Sequence, residues 1–178
     1  MNRVFWYLLV FATLFLGGCA SSAPRIDYDP AFDASRLTTF GVAKERSPLC
    51  ELDDERIEAA IVEALEAKGY RFKKKSPHDF QALYRVETFH DIPSNFSFGL
   101  GIGGGSWKHG GVEVGTSLTP HHDEIALRID MVRPGDHRIF WSGRIRTTLP
   151  PLRTPKERES FYRKKVAEIL KRYPAHHR

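Results

Sequence analysis

The sequence contains little cysteine, with only Cys19 and Cys50 among its 178 residues. Neither belongs to a C-x-x-C pair of the kind that holds zinc or carries redox chemistry. Cys19 ends an apolar run whose features, given below, assign it a separate role, so Cys50 has no internal partner. The fold must then rely on its hydrophobic core. We expect Cys50 to be either buried or a free thiol, with pairing between chains as an alternative.

The sequence also lacks, at its N-terminus, an apolar run long enough to cross a membrane. Val4–Leu16 is a run of 13 residues that follows the positive charge of Arg3. As a helix it would reach about 20 Å, whereas the hydrocarbon core of a bilayer is about 30 Å thick. This length is typical of the hydrophobic region of a signal peptide. We therefore expect residues 1–18 to be a signal peptide rather than a transmembrane helix.

The apolar run ends in Leu16, Gly17, Gly18 and Cys19, which resembles a bacterial lipobox. Small residues before the cysteine let a peptidase hold the chain close to its own backbone. The resemblance implies that the sulfur of Cys19 carries diacylglycerol, that cleavage falls before it, and that its amino group carries a fatty acid such as palmitate. Two or more acyl chains make a stable membrane anchor. The alternative is an ordinary secretory signal with a cysteine at the cleavage point.

The residue after the cysteine bears on location. Ala20 stands where a lipoprotein retained in the inner membrane typically carries aspartate. By resemblance to Gram-negative lipoproteins, this favours an anchor in the outer membrane, with the protein facing the periplasm. The predicted organisation is a signal peptide at 1–18, the lipidated cysteine and its tether at 19–26, a single domain at 27–174 and a basic tail at 175–178.

The chain carries a formal charge of +5 and has a pI near 9.3, with 41% hydrophobic residues. This composition excludes disordered and collagen-like classes. A basic protein is often a nucleic-acid binder, but export removes nucleic acid as a partner. Basic residues are concentrated in Lys73–Lys75 and from Arg144 onward. We expect them to form a solvated face, with anionic lipid head groups or lipopolysaccharide as the alternative partner.

Two helices are indicated by apolar stripes at helical spacing. The stripe of the first is Ile57, Ala60, Ile61, Ala64 and Leu65, and that of the second is Tyr162, Val166, Ile169, Leu170 and Tyr173. We expect Asp53 or Asp54 to cap the first helix and Gly69 to follow its end at positive φ. Thr154, Pro155 and Glu157 form a capping box that begins the second.

Strands are indicated by apolar residues on alternate positions. The predicted strands are 37–43, 79–89, 124–132 and 138–147, the last with Ile139, Trp141, Gly143 and Ile145 inward, and a hairpin at 95–118. Residues 133–136 fit a type II turn with Gly135 at positive φ. The order of strands and helices predicts an α+β fold, an antiparallel sheet with two helices packed on one face.

The glycine-rich hairpin at 95–118 contains the pattern G-x-G-x-x-G at Gly99–Gly104. A dinucleotide site needs a helix after those glycines, and the Ser106–Gly111 stretch cannot form one, so we expect no cofactor. Glycine on alternate positions leaves one side of the hairpin bare. A bare side admits close approach of another backbone, and one hypothesis is that the hairpin packs on a protein partner or a second copy, with Phe96, Phe98 and Trp107 as candidate interface residues. The alternative is a structural hairpin covered by its own chain.

Residues with the chemistry for metal binding or catalysis are scattered. His109, His121 and His122, with Asp123 and Glu124 beside them, offer zinc ligands, but no H-x-x-x-H helix occurs, so we expect no metal site. Asp130 and Glu113 lie on predicted strands, and Asp130 faces away from Ile129, which favours a solvent-facing or loop-bonding carboxylate. No catalytic residue is predicted.

Several segments in order resemble the bacterial lipoproteins classed under domain of unknown function 4136. The segments are Tyr28–Pro30 with Asp33, Ser35 and Phe40, then Leu65–Tyr70, Asp79–Phe80, Phe98–Gly103, Ile129–Val132 with Phe140–Gly143, and Leu170–Pro174. The resemblance implies a periplasm-facing lipoprotein and supplies no catalytic or ligand residues.

Together these features predict an envelope lipoprotein, anchored through Cys19, that acts as a binding or scaffolding module and not as an enzyme. Two alternatives belong to other classes. A carrier of lipid or another small ligand would need a sizeable apolar pocket between sheet and helices. A hydrolase acting on envelope material would need a nucleophile, a base and an orienting group in one pocket.

Overall fold

The computed structural model describes residues 23–93 and 121–176, and it contains two helices and six strands there. Their bounds are β1 Arg25–Tyr28, β2 Thr39–Arg46, α1 Glu51–Glu66, β3 Arg71–Phe72, β4 Phe80–Pro93, β5 His121–Val132, β6 Ile139–Thr148 and α2 Pro155–Leu170. A short 3-10 turn, Ala34–Arg36, precedes β2. Strand β1 includes Arg25 and Ile26, which were predicted to belong to the tether. At the other end of the chain, His176 of the predicted tail donates its backbone N–H to the carbonyl of Lys68.

The six strands form one sheet in the order β1-β6-β5-β4-β2-β3. The α+β class is confirmed, but the sheet is mixed, so the prediction of an antiparallel sheet was wrong. Strand β2 runs parallel to both β3 and β4. Helix α1 lies between β2 and β3 in the chain and returns it to the same end of the sheet, which is how parallel strands are joined.

The core lies between the helices and one face of the sheet. From β4 it receives Phe80, Ala82, Tyr84 and Val86, and from β5 Ile125, Leu127, Ile129 and Met131. The hydroxyl of Tyr84 donates to Glu58 of α1 at 3.0 Å. Aromatic rings fill one end of the core, where Trp141 meets Tyr173 edge-on at 5.2 Å between centroids. The predicted inward faces of β4 and β5 and the buried stripes of both helices are confirmed.

Local signals at the helix ends are mostly confirmed. Thr154 and Glu157 form the predicted capping box, and Gly69 has a φ of +93°. The predicted caps of α1 were wrong, because α1 begins at Glu51 and Cys50 occupies the N-cap without a side-chain hydrogen bond. Asp53 and Asp54 lie within the first turn of α1, where each is buried and forms an ion pair. Sequence alone could not reveal those pairs.

The turn between β5 and β6 also differs from the prediction. His137 adopts a left-handed φ of 54°, while Gly135 does not, so this is not a type II turn. Next to this turn, the pairing between β5 and β6 shifts register between Met131 and Val132. As a result Ile139 is 44% exposed, whereas Phe140 is buried and stacks on Phe32 at 4.2 Å between ring centroids.

Within residues 23–93 and 121–176, no helix is both long and apolar enough to cross a membrane.

Candidate functional site

The face of the sheet away from the helices is polar, and we call it the polar face. On β4, β5 and β6 the residues between the core positions point to this face, because side chains alternate along a strand. Strand register then aligns four arginines from four neighbouring strands. Arg25 of β1 is opposite Arg144 of β6, Arg144 is opposite Arg128 of β5, and Arg128 is opposite Arg85 of β4. We call these four residues the arginine row.

One half of the arginine row is neutralised by carboxylates. Arg85 pairs with Glu45 of β2, which raises the pKa of Arg85 above its already high ordinary value. Arg128 donates to Asp130 at 2.9 Å, and the Asp130 side chain is 7% exposed. As expected, the Asp130 side chain lies on the face of β5 away from that of Ile129. It is, however, a buried ion-pair partner rather than a solvent-facing carboxylate.

The other half of the row is not neutralised in the same way. Within the described residues, neither Arg25 nor Arg144 forms an ion pair with a carboxylate, and both are exposed. Like charges directly opposite each other on neighbouring strands destabilise a sheet. The Arg25–Arg144 pair is therefore a local concentration of positive charge on the polar face.

Two shallow depressions adjoin this pair. The first, about 220 Å³, is lined by Arg25, Asp27, Arg128, Ser142 and Arg144 together with Ile26. The second, about 550 Å³, is lined by both arginines and, among others, Ala23, Glu87, Phe89 and Arg146. The guanidinium of Arg146 lies over the ring of Phe89, 4.1 Å from its centroid. Both depressions are open to solvent and lined mostly by charged side chains, so they suit a charged ligand better than an apolar one.

Three histidine–carboxylate pairs lie where β4 ends and β5 begins. His121 Nδ1 is 2.7 Å from Asp91, His90 Nδ1 is 3.2 Å from Asp123, and His122 Nε2 is 3.3 Å from Glu124. The contact with His90 lowers the pKa of Asp123. Hydrogen bonding from Arg146 lowers the pKa of Glu124.

These pairs bear on the candidate metal ligands. His121, His122, Asp123 and Glu124 are indeed close in space, and each is engaged in a pair. Among the described residues, no three histidine, cysteine, aspartate or glutamate side chains are grouped to hold a metal ion. His109 and Glu113 lie outside the described residues. His90 and Asp91 could not be assigned to this group from the sequence, because only the β4–β5 pairing brings them beside the other histidines.

The remaining candidate residues divide between exposed and undescribed positions. Cys50 is an exposed free thiol at the start of α1, which excludes the buried alternative. Cys19 with the predicted lipobox residues Leu16, Gly17 and Gly18, and the predicted interface residues Phe96, Phe98 and Trp107, lie outside the described residues.

The arginine row was also missed from the sequence. Each arginine alternates with inward residues of its strand, as Arg128 does between Leu127 and Ile129. That alternation would have placed each one on the polar face. Their alignment depends on strand register, which pairs residues as far apart as Arg25 and Arg144.

A family model described as Domain of unknown function (DUF4136) matches residues 24–175. No curated protein matches the sequence significantly.

The solved structures that match this chain share little sequence with it. The PelC dodecamer from Paraburkholderia phytofirmans is 12% identical with a TM-score of 0.54, and the match covers 87% of this chain and 99% of that one. A PDZ domain protein from Parabacteroides distasonis is 12% identical with a TM-score of 0.50, covering 85% of this chain and 35% of that one. A minor lipoprotein from Acinetobacter baumannii is 12% identical, covering 75% and 86% of the two chains, with a TM-score of only 0.29.

Proposed function

The chain belongs to the DUF4136 family, whose function is unassigned, and we propose that it is a lipid-anchored binding or scaffolding module of the bacterial cell envelope. The anchor of this proposal is Cys19 with its lipobox residues, and its working part is the folded domain. The proposed location is the outer membrane, with the domain facing the periplasm. The proposal includes no cofactor and no nucleic-acid partner.

The observation that carries the proposal is the position of β1. This strand begins at Arg25, only six residues after Cys19, and it lies at one edge of the sheet. Six residues span at most about 21 Å when fully extended. A chain acylated at Cys19 would therefore hold the β1 edge close to the membrane. This arrangement suits a module that works at a membrane surface.

The anchor can be tested by the intact mass of the protein isolated from membranes of a Gram-negative host. We expect the mass of residues 19–178 increased by diacylglycerol and a fatty acid. The Cys19→Ser variant should keep residues 1–18 and carry no lipid, whereas the Cys50→Ser variant should be modified like the wild type. A wild-type protein cleaved without added lipid would instead support the ordinary secretory signal.

Self-association is the scaffolding mode that the comparison supports. The PelC structure of similar fold is a dodecamer, and we propose that this chain also assembles with copies of itself, using Phe96, Phe98 and Trp107 of the predicted glycine-rich hairpin. Native mass spectrometry of the detergent-solubilised protein should give a mass of several chains. The double variant Trp107→Ala, Phe98→Ser should give an assembly of fewer chains. An unchanged mass for that variant would contradict the hairpin interface.

One structural observation favours scaffolding over the carrier alternative. Between sheet and helices, beside Ile57, Leu127 and Tyr162, the described part of the chain leaves a space of about 10 Å³. Ligand pockets generally measure several hundred Å³. A co-purified lipid in the native mass spectrum would nevertheless support the carrier. The hydrolase remains the second alternative, and turnover of an envelope substrate by the purified protein would support it.

A further inference from the structure

The uncompensated half of the arginine row, Arg25 and Arg144, has a geometry suited to phosphate. A guanidinium group presents a planar fork of N–H donors that matches phosphate oxygens in pairs. Neighbouring strands lie about 4.8 Å apart, so two opposed arginines can both reach one phosphate group between them. Ser142, beside Arg144 in the smaller depression, adds a hydroxyl group that can donate to the same ligand.

The position of the pair relative to the tether indicates where such phosphate would come from. Arg25 is the first residue of β1. Ala23, two residues earlier, lines the larger depression beside Arg144 and Arg146. The first described residue of the predicted tether therefore lies at the polar face. Under the proposed anchor, this face is the one that the tether holds toward the lipid head groups.

The charges around Arg25 and Arg144 restrict phosphate binding on the polar face to these two arginines. Asp27 lines the smaller depression and Glu87 the larger one. Arg128 and Arg85 are already paired with carboxylates. The polar face as a whole is thus of mixed charge, and adhesion through net charge would be weak. Recognition of a phosphate by two converging guanidinium groups does not need a uniformly basic face.

We propose that Arg25 and Arg144 form a docking site for the phosphate head groups of anionic lipid in the membrane that carries the anchor. The site holds the polar face of the sheet against the bilayer, so the anchored domain has a fixed orientation rather than a free one. This inference rests on the proposed lipid anchor and adds to it a second, electrostatic contact. Lipid binding of this kind, combining acyl chains with basic residues, is stronger than either contact alone.

The experiment uses the full-length chain as its host processes and lipidates it, placed in vesicles of phosphatidylglycerol or of phosphatidylcholine. A fluorophore on Thr148→Cys, in a Cys50→Ser background, reports on the polar face, because Thr148 is exposed and pairs with Glu124. A fluorophore on Cys50 of the wild type reports from the start of α1. A quencher attached to lipid head groups measures how close each fluorophore lies to the membrane.

We expect the fluorophore at position 148 to be quenched in phosphatidylglycerol vesicles far more than in phosphatidylcholine vesicles, and the one at Cys50 to be quenched little in either. The double variant Arg25→Gln, Arg144→Gln should lower the docking equilibrium about 25-fold, since each arginine near an anionic surface contributes roughly a factor of five. The matched control Lys171→Gln, Arg172→Gln removes the same charge from exposed positions after α2 and should change little.

The possible outcomes distinguish failure of the docking site from failure of the lipid anchor. If the double variant is quenched like the wild type, or if quenching does not depend on anionic lipid, the docking site is refuted while the anchor stands, provided that the protein still floats with the vesicles. If the domain instead binds an acidic protein, and this binding does not change with the lipid composition of the vesicles, anionic lipid is refuted as the partner. If the wild-type protein does not float at all, the anchor fails and the docking site fails with it.

Discussion

Asp53 of α1 accepts a hydrogen bond from Arg158 of α2, with 2.6 Å between the carboxylate Oδ2 and the guanidinium Nη1. The same carboxylate accepts from Arg56 at 2.6 Å and from the hydroxyl of Tyr162 at 3.4 Å. Because the Asp53 side chain is only 3% exposed, these bonds form a network that joins the two helices largely away from water. Both helices are thereby fixed over the same face of the sheet.

Replacing Asp53 by alanine should destabilise the protein strongly. It leaves Arg56, Arg158 and Tyr162 without their shared acceptor, and breaking such a pair costs about 3 kcal/mol, at the low end of the range because Arg158 retains contact with water. Urea denaturation would measure the free energy of unfolding. The matched variant Glu159→Ala breaks an exposed pair with Arg163 and should cost less than about 0.5 kcal/mol. Equal losses in the two variants would contradict the network.

The close approach of α2 to the sheet should make Gly143→Ala destabilising. A Cβ at Gly143 would lie 2.5 Å from Cγ2 of Ile169 and 2.5 Å from Cη2 of Trp141. Overpacking of this kind typically costs about 1–3 kcal/mol. Gly135→Ala is the matched control, because nothing lies within 4 Å of its added Cβ. Thermal unfolding should show a lower melting temperature for the first variant and little change for the second.

Asp79 should make stability sensitive to acid. Burial by itself would raise its pKa, but the backbone N–H groups of Thr39 and Thr38 and the Thr39 hydroxyl lower the pKa below the ordinary 3.8. An acid with a lowered folded pKa contributes stability that is complete above the unfolded pKa and is lost as pH falls through the folded pKa. The contribution is therefore lost below pH 3.8.

The Asp79→Asn variant tests this sign. Its free energy of unfolding should lie below that of the wild type at neutral pH, and the difference should shrink as pH falls below 3.8. Glu66→Gln, at an exposed position near the end of α1, should stay close to the wild type throughout. A difference between wild type and Asp79→Asn that grows on acidification would show that the sign is wrong.

Arg144→Thr should leave the protein as stable as the wild type or stabilise it. The substitution removes two like-charge oppositions, with Arg25 and with Arg128, each of which costs a few tenths of a kcal/mol. Threonine also suits a strand. By contrast, Arg85→Thr breaks the ion pair with Glu45 and should not stabilise. A marked loss of stability in Arg144→Thr, measured by urea denaturation, would mean that Arg144 serves the fold and not a ligand.

The parts of the fold that the sequence predicts are those made by neighbours in the chain. The Thr154–Glu157 capping box and the positive φ of Gly69 depend on hydrogen bonds and sterics within a few residues. The inward face of β4, from Phe80 to Val86, follows from strand alternation. The failed predictions involve distant partners: Asp53 was assigned to a local cap but bonds Arg158, and β2 was assigned an antiparallel neighbour but pairs in parallel with β4.

The candidate site divides in the same way. The apolar run before Cys19 and the small residues beside it are read from consecutive positions, so the proposed anchor needs no structure. The docking pair of Arg25 and Arg144 could not be predicted, because a strand register shifted by one residue would separate their side chains onto opposite faces.

By itself, the sequence determined the helices, most of the strands and the class of fold, because apolar periodicity and capping operate between residues close in the chain. Only the tertiary structure decided the mixed strand order, the burial of Phe140 in place of Ile139, and the opposition of Arg25 to Arg144. Each of these depends on which distant segments pair and in what register. That choice minimises the free energy of the whole packed sheet rather than of any one strand.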